Sequence, residues 1–301
     1  MKTFIASLVF ALLSISLLAQ SPVTLKLNLE KGRVYKVKST SKQAIQQTAN
    51  GQQYAIDVLS NTVFSFRVLK QENDVMDISF KLDTIASKIS SPMFSRETNS
   101  TKPGTEPLEK IMNKMSTYNI VAKISTAGKF LQFVNLGKYT DSILFVLDSV
   151  PASKRDDARK QAIALLKESA IKSMIEPIFS YLPEKPVNIG DTWETSYFNV
   201  SATLSILLLN THKLEGIENN LARVSGTSEA ESMPSTDPAA KMTQELKGTS
   251  TFDSTIDLIT GLSIRNKSKS HFEGVTKMMN GTTEMVMPMK IDGDTETVIS
   301  K

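Results

Sequence analysis

The chain has 301 residues, no cysteine, two histidines and a net charge of +4 at pH 7. The absence of cysteine excludes a disulfide framework, a thiolate metal site and a cysteine nucleophile. Lysines alternate with acidic residues and form no dense basic run, so the mild positive charge indicates a solvated surface and not a nucleic-acid-binding one.

The first 19 residues have the anatomy of a secretory signal peptide. Lys2 gives a positive start, residues 4–18 are almost wholly apolar, and Ala19 is a small residue at the expected cleavage point. The apolar run is shorter than the about 20 residues that a transmembrane helix needs. We therefore predict cleavage after Ala19 and export of residues 20–301 to the periplasm or the cell exterior, with no transmembrane anchor.

Alternation of apolar and polar residues dominates the remaining chain and predicts strands. In residues 76–83 every even position is apolar and every odd position is polar, which buries one face of a strand and solvates the other. The same alternation occurs in residues 64–68, 200–208 and 250–258. A protein with this pattern is rich in half-buried strands.

Short turn signals separate these strands and predict antiparallel pairing. The signals are Asn50-Gly51, residues 72–74, Ala127-Gly128, Thr260-Gly261, Asn280-Gly281 and Asp292-Gly293. Two stretches, residues 90–106 and 229–240, lack periodicity and are predicted to be loops.

Helical periodicity is confined to the middle of the chain. Residues 152–176 carry apolar residues at spacings of three and four, with Ser153 as the predicted N-cap and Pro177 marking the end. Shorter helices are predicted over residues 138–150 and from Glu106-Pro107 onward, because proline suits the first helical turn.

These elements predict a β-dominated α+β fold. We expect a large, curved, half-barrel-like antiparallel sheet, with the central amphipathic helix and two shorter helices packed on it. Residues 20–301 are predicted to form one domain. An alternative is two similar β-halves, residues 20–135 and 187–301, joined by a helical segment at 136–180, because a glycine precedes an aromatic residue by three in both halves.

Residues 29–35, residues 187–193 and the pair Phe252-Asp253 leading to Gly261-Leu262 together resemble an uncharacterised family of exported Bacteroidetes proteins, classed as a domain of unknown function. The resemblance implies export to a bacterial envelope and carries no known activity. By looser analogy, the expected sheet is similar to the half-barrels of periplasmic lipoprotein carriers.

Residues typical of catalysis are sparse. Neither His212 nor His271 has a second histidine at helical or strand spacing, and both are predicted to lie on the surface. Asp156 and Asp157 are predicted to serve the start of a helix. No nucleophile elbow or phosphate loop is present in the sequence, so we predict no cofactor and no enzyme.

Methionine is abundant, with 13 in the chain. Met285, Met287 and Met289 alternate on one face of the predicted last strand. Core packing is the favoured interpretation. The alternatives are an adaptable apolar pocket and a thioether site for Cu(I).

The sequence therefore predicts a non-catalytic exported envelope protein that binds a hydrophobic ligand, such as a lipid or an acyl chain, or a partner protein. The predicted site is an apolar trough lined by Phe64, Phe66, Ile78, Phe80, Leu204, Ile206, Met285 and Met287. Two alternatives remain: a structural module with a fully packed core, and an enzyme with dispersed carboxylates that form no motif.

Overall fold

A computed structural model describes residues 21–49, 51–200, 204–233, 242–280 and 283–301. The strands form one 12-stranded antiparallel sheet in the order β6-β5-β3-β2-β1-β12-β11-β10-β9-β8-β7, with β4 paired to β3. The sheet is not closed into a barrel. The predicted fold class is confirmed, and the predicted signal peptide lies outside the described residues.

The strands are β1 Val34–Ala49, β2 Gln52–Glu72, β3 Val75–Ser90, β4 Ser95–Asn99, β5 Asn119–Ser125, β6 Phe130–Phe133, β7 Thr192–Val200, β8 Ser205–Glu218, β9 Leu221–Ser232, β10 Met242–Asp257, β11 Ser263–Asn280 and β12 Thr283–Ser300. The helices are α1 Pro107–Met115, α2 Leu136–Leu144, α3 Ala152–Leu166 and α4 Glu168–Ile175. Two 3-10 helices, Phe145–Ser149 and Glu176–Ile178, follow α2 and α4.

Most predicted turns are confirmed by the backbone. Gly51, Gly128 and Gly261 have positive φ between consecutive strands, as does Asn73 between β2 and β3. Asp292-Gly293 was wrongly predicted as a turn, because it lies inside β12 and pairs with both neighbouring strands, as in the pair of Asp292 with Ala44. Residues 90–106 are not wholly a loop either, since they contain β4.

The middle helix is interrupted. Lys167 has an extended backbone, with φ of −56° and ψ of 144°, which separates α3 from α4 and corrects the prediction of one helix over residues 152–176. Ser153 is not the N-cap, because α3 begins at Ala152 after Pro151. By contrast, α1 begins as predicted, with a capping box between Glu106 and Glu109.

The helix α4 contacts strands at both ends of the sheet order. The Lys172 ammonium lies 5.3 Å from the ring centroid of Phe130 in β6. The next residue, Ser173, donates a hydrogen bond of 3.3 Å to the carbonyl of Val200 in β7. A single helix reaches both edge strands only because the sheet curls around it.

The hydrophobic core lies at one end of the strands, which we call the covered end. Phe66 is buried there, with its ring stacked 5.2 Å from Tyr35 and edge-on 5.4 Å from Phe179. Ile143 and Ile171 contribute the apolar faces of α2 and α4 to the same cluster. The opposite end of the long strands, beyond the helices, is called the far end.

The segment before β1 forms hydrogen bonds with loops at the covered end and closes it. The Leu27 amide donates to the Thr126 carbonyl at 2.7 Å, and the Asn28 amide donates to the Thr260 carbonyl at 2.9 Å. Tyr181 stabilises the same region. Its hydroxyl donates to the Gly261 carbonyl and accepts from the Ser263 amide, both at 2.7 Å. Burial raises the pKa of Tyr181, so the phenol stays neutral.

Candidate ligand-binding face

The sheet has two chemically different faces, which the strand register defines. Residues directly paired across antiparallel strands point to the same side. Val37 pairs with both Phe64 and Ile299, and these three side chains belong to the core beneath the helices or pack against it. The face that carries them is called the inner face, and the opposite one the outer face.

A band of hydroxyl groups crosses the inner face next to the core. Ser41 pairs with Ser60 and Thr295, and Thr295 pairs with Ser268. The Thr295 hydroxyl donates to the Ser41 hydroxyl at 3.0 Å. One row closer to the core, the Thr297 hydroxyl donates to the Ser39 hydroxyl at the same distance. The band is polar without being charged.

Apolar side chains return beyond this band, at the far end. Ile45 pairs with Ile56 and Ile291, and Ile291 pairs with Phe272. All of these side chains are half-buried. The same row continues on β8, where Leu208 lies opposite buried Ala230. At this end of the row, Leu208 also pairs with Tyr197 of β7, the strand that α4 contacts.

Formal charge is segregated to the outer face. Among the residues that the structure describes, the inner-face positions of β1, β2 and β7 to β12 hold no Asp, Glu, Lys or Arg. The outer face of the same strands carries ion pairs such as Lys290 with Glu273 at 2.9 Å and Lys277 with Glu245 at 2.5 Å. A buried charge is costly without a partner, so the uncharged inner face suits a neutral or apolar surface.

His212 is a titratable side chain on the inner face, where it pairs directly with Trp193. It was wrongly predicted to lie on the surface, because its ring is buried between Trp193 and Phe252, with centroids 5.2 and 5.1 Å away. The Thr195 hydroxyl contacts its Nε2 at 2.9 Å. Burial lowers the pKa of His212 to about 4, so the imidazole is neutral at pH 7.

The fit around His212 depends on a glycine. Gly226 lies between His212 and Phe252 in the paired row. A Cβ at Gly226 would come 2.2 Å from the Phe252 ring and 2.3 Å from the Thr211 carbonyl. The missing side chain therefore allows the two rings to meet across the strand between them.

His271 lies on the surface, as predicted. Its ring lies on the outer face, with Nδ1 2.7 Å from the Asp292 carboxylate. The hydrogen bond to Asp292 raises the pKa of His271. Among the described residues, no group of three or more His, Cys, Asp and Glu side chains is arranged to hold a metal ion.

The space between the sheet and the helices at the covered end is small. It amounts to about 40 Å³ and is lined by apolar side chains that include Phe64, Phe80 and Ile175. A broader groove of about 770 Å³ lies on the outer face at the far end, where Lys247, Glu273 and Lys290 are among its lining residues. The larger space is therefore the charged one.

The structure separates the residues of the predicted trough into two groups. Phe64, Phe66, Ile78 and Phe80 lie at the covered end, whereas Ile206, Met285 and Met287 lie at the far end and Leu204 just precedes β8. Ile299, which pairs with Val37 at the covered end, and Met287 lie about 40 Å apart along β12, at roughly 3.3 Å per residue. The eight residues do not line one continuous trough.

The methionine stripe on the last strand has the predicted alternation. Met287 and Met289 are buried, and Met285 is half-buried on the same inner face. The Met289 sulfur accepts a hydrogen bond of 3.2 Å from the buried Thr276 hydroxyl. Packing therefore explains Met287 and Met289 better than it explains Met285.

The fold and its faces define a class of protein: an open, curled antiparallel sheet with an uncharged inner face, plugged at one end by helices. Residues 73–263 match the Family of unknown function (DUF6263), and the chain belongs to this family. The predicted membership of a family of unknown function is confirmed. Among the described residues, no helix has the length and apolar character needed to span a bilayer.

No curated protein matches the chain. Lipovitellin aligns over 91% of this chain and 26% of its own, with 10% identity and a TM-score of 0.47. An outer membrane channel from Pseudomonas putida F1 aligns over 91% of this chain and 97% of its own, with 8% identity and a TM-score of 0.25. A DUF1329 family protein from Desulfovibrio piger ATCC 29098 aligns over 88% of this chain and 84% of its own, with 10% identity and a TM-score of 0.11.

Proposed function

We propose that this protein is a non-catalytic, exported envelope protein that binds a hydrophobic ligand, a lipid or an acyl chain, on the far part of its inner face. The observation that carries the proposal is the uncharged inner face, which continues past the helix-covered core with half-buried apolar side chains. Burying a methylene group is worth about 0.8 kcal/mol, so a long acyl chain gains substantially along such a surface.

The covered end leaves too little space for such a ligand. Pockets for small molecules usually measure about 300–1,000 Å³, whereas the space between sheet and helices is about 40 Å³. The side chains there, including Phe64 and Phe80, form a packed core. Ile45, Ile56 and Ile291 of the apolar row are not among the side chains that line this space.

The hydroxyl band would serve the polar part of such a ligand. Ser41 and Thr295 present donors and acceptors without charge, next to the apolar row. This order along the strands, with uncharged polar groups beside apolar ones, matches an amphiphile that carries an ester or a hydroxyl. A ligand with a single net charge would meet no counter-charge on the described inner face.

The carboxylates on the outer face are poorly suited to acid–base catalysis, which supports a non-catalytic protein. Hydrogen bonding to Lys290 lowers the pKa of Glu273. The Lys277 ammonium forms an ion pair with the Glu245 carboxylate at 2.5 Å. A general acid needs a raised pKa to hold its proton near neutral pH. The pKa of Glu273 is shifted in the opposite direction, downward.

The test is a binding measurement on the delipidated mature protein with a fluorescent fatty acid and with phospholipid vesicles. Leu208→Glu places a charge on the inner face, and its matched control Leu209→Glu places the same charge on the outer face, where Leu209 is 51% exposed. We expect Leu208→Glu to weaken binding at least tenfold and Leu209→Glu to leave it within twofold.

A second pair of variants tests whether a loss of binding results from misfolding. Ile45→Glu and Ala44→Glu repeat the inner and outer comparison on β1, and circular dichroism verifies the fold of each variant. Equal binding by the inner and outer variants, or the absence of any lipid in native mass spectra of protein isolated from its own cells, would refute the proposal. Export is checked by the same mass, since cleavage after Ala19 leaves Gln20 as the first residue.

A further inference from the structure

Three methionines occupy directly paired positions on three adjacent strands near the far tip of the sheet. Met278 of β11 pairs with Met242 of β10 on one side and with Met285 of β12 on the other. Direct pairing places all three side chains on the inner face. Only Met285 belongs to the stripe visible in the sequence, and the other two come from different strands.

The geometry allows the three sulfur atoms to meet. Paired residues in an antiparallel sheet have Cα atoms about 4.5–5.5 Å apart, and methionine is unbranched, with three rotatable bonds. Met242 and Met278 are 38% and 36% exposed, and Met285 is half-buried. An ion from solvent can therefore reach the group, unlike the buried Met287 and Met289.

The donor set selects a particular kind of ion. Thioethers are neutral, soft ligands that favour Cu(I), whereas hard cations such as Mg²⁺ and Ca²⁺ require oxygen ligands. No carboxylate lies at the described inner-face positions of these strands, and the chain contains no cysteine that could compete as a soft ligand. Because the three thioether ligands are neutral, the site with Cu(I) bound would have a net charge of +1.

We propose that Met242, Met278 and Met285 together bind one soft monovalent cation, of which Cu(I) is the biological representative. The site is independent of the proposed hydrophobic ligand, because it depends on sulfur donors at the tip and not on the apolar row below them. Met278 is the central ligand, since it is the residue paired with both of the others.

The chain provides a matched control for Met278. Met279 is the next residue, lies on the opposite face of the same strand and is 45% exposed. Met93 is 76% exposed and belongs to none of the paired strands at the tip. Replacement of methionine by leucine conserves volume and is usually tolerated, so loss of binding can be separated from loss of fold.

The experiment is an anaerobic titration of the mature protein with Cu(I) against a chromogenic chelator. We expect one bound equivalent, at least tenfold weaker binding in Met278→Leu, and a change of less than twofold in Met279→Leu. Ag(I) added to protein with 13C-labelled methionine methyl groups should shift the resonances of Met242, Met278 and Met285, and leave Met93 unshifted.

Several outcomes would overturn the proposal. They are the absence of a bound equivalent, equal affinity in Met278→Leu and the wild type, and equal shifts at Met93 and Met278. The leucine variants are also measured for fatty-acid binding. Loss of copper with retained fatty-acid binding identifies a separate metal site, whereas the charge variants of Leu208 test the hydrophobic site without changing any sulfur atom.

Discussion

The covered end and the far end of the sheet are built from the same strands but stabilised differently. At the covered end, Phe66 and Val37 are buried under helices and the segment before β1. At the far end, Ile45 and Ile56 point to the same inner face but stay half-buried, with no helix over them. The difference shows that a single alternating pattern can supply a packed core and an open surface along one strand.

The largest expected effect is a difference in stability between truncations of inner-face side chains at the two ends. Phe66→Ala should reduce the free energy of unfolding by about 3–5 kcal/mol, because it removes a fully buried ring from the aromatic cluster. Ile56→Ala, on the same strand and face at the far end, should cost about 1 kcal/mol. Urea denaturation of both variants measures the difference, and equal losses would remove the distinction between the two ends.

The next effect is a pH dependence located between the two ends, at His212. Burial lowers its pKa from 6.5 to about 4. Between these pH values, His212 binds a proton in the unfolded chain but not in the folded protein. Stability is therefore fully present above pH 6.5 and falls by about 3 kcal/mol as the pH drops towards 4. Urea midpoints measured across this range should decline in the wild type and much less in His212→Phe.

The two histidines provide an internal control for this prediction. NMR titration should place the pKa of His212 below that of a free histidine and the pKa of His271 above it, because Asp292 stabilises the charged ring of His271. A His212 that titrates near 6.5 would mean that its ring is solvated and that the inner face is open at this row.

A smaller effect is expected from adding one methyl group to the sheet. Gly226→Ala should destabilise the protein by about 1–3 kcal/mol, because its Cβ would collide with the Phe252 ring and the Thr211 carbonyl. Gly137→Ala is the control, since nothing lies within 4 Å of that Cβ in α2. The control should stabilise the protein by about 0.5–1 kcal/mol through helix propensity. Thermal melting distinguishes the two signs.

The smallest effect concerns the outer face at the far end. Lys277→Gln removes the exposed ion pair with Glu245 and should change the free energy of unfolding by less than about 0.5 kcal/mol. The measurement is a urea curve at low and at high salt. A loss above about 1 kcal/mol would show that charges on the outer face, and not the inner face alone, hold the far end together.

The sequence was sufficient to predict the class of the fold, because alternation reveals which residues share a face of a strand. It did not reveal the pairing. Phe80 and Met287 have the same apolar, alternating appearance, yet the register places them at opposite ends of the sheet. The helix break at Lys167 also escaped prediction, since neither glycine nor proline marks it.

The central features of the candidate site depend on partners that local patterns do not contain. His212 follows Asn210 and Thr211 and resembles a surface residue, but its neighbours Trp193 and Phe252 come from other strands. Likewise, only Met285 of the proposed metal site belongs to a visible stripe, while Met242 and Met278 join it through register. Pairing over long sequence distances is the missing information in both cases.

The pairing of β1 with β12 has a consequence for how the molecule is assembled. Lys36 lies opposite Ser300, so the two strands at the centre of the sheet come from opposite ends of the chain. A partly synthesised copy can form hairpins, but each half-sheet keeps a bare edge until the last strand arrives, and such edges recruit strands from other molecules. Contacts between such distant segments also form slowly. Newly made chains should therefore expose the unpaired edges of β1 and β11 until β12 is in place.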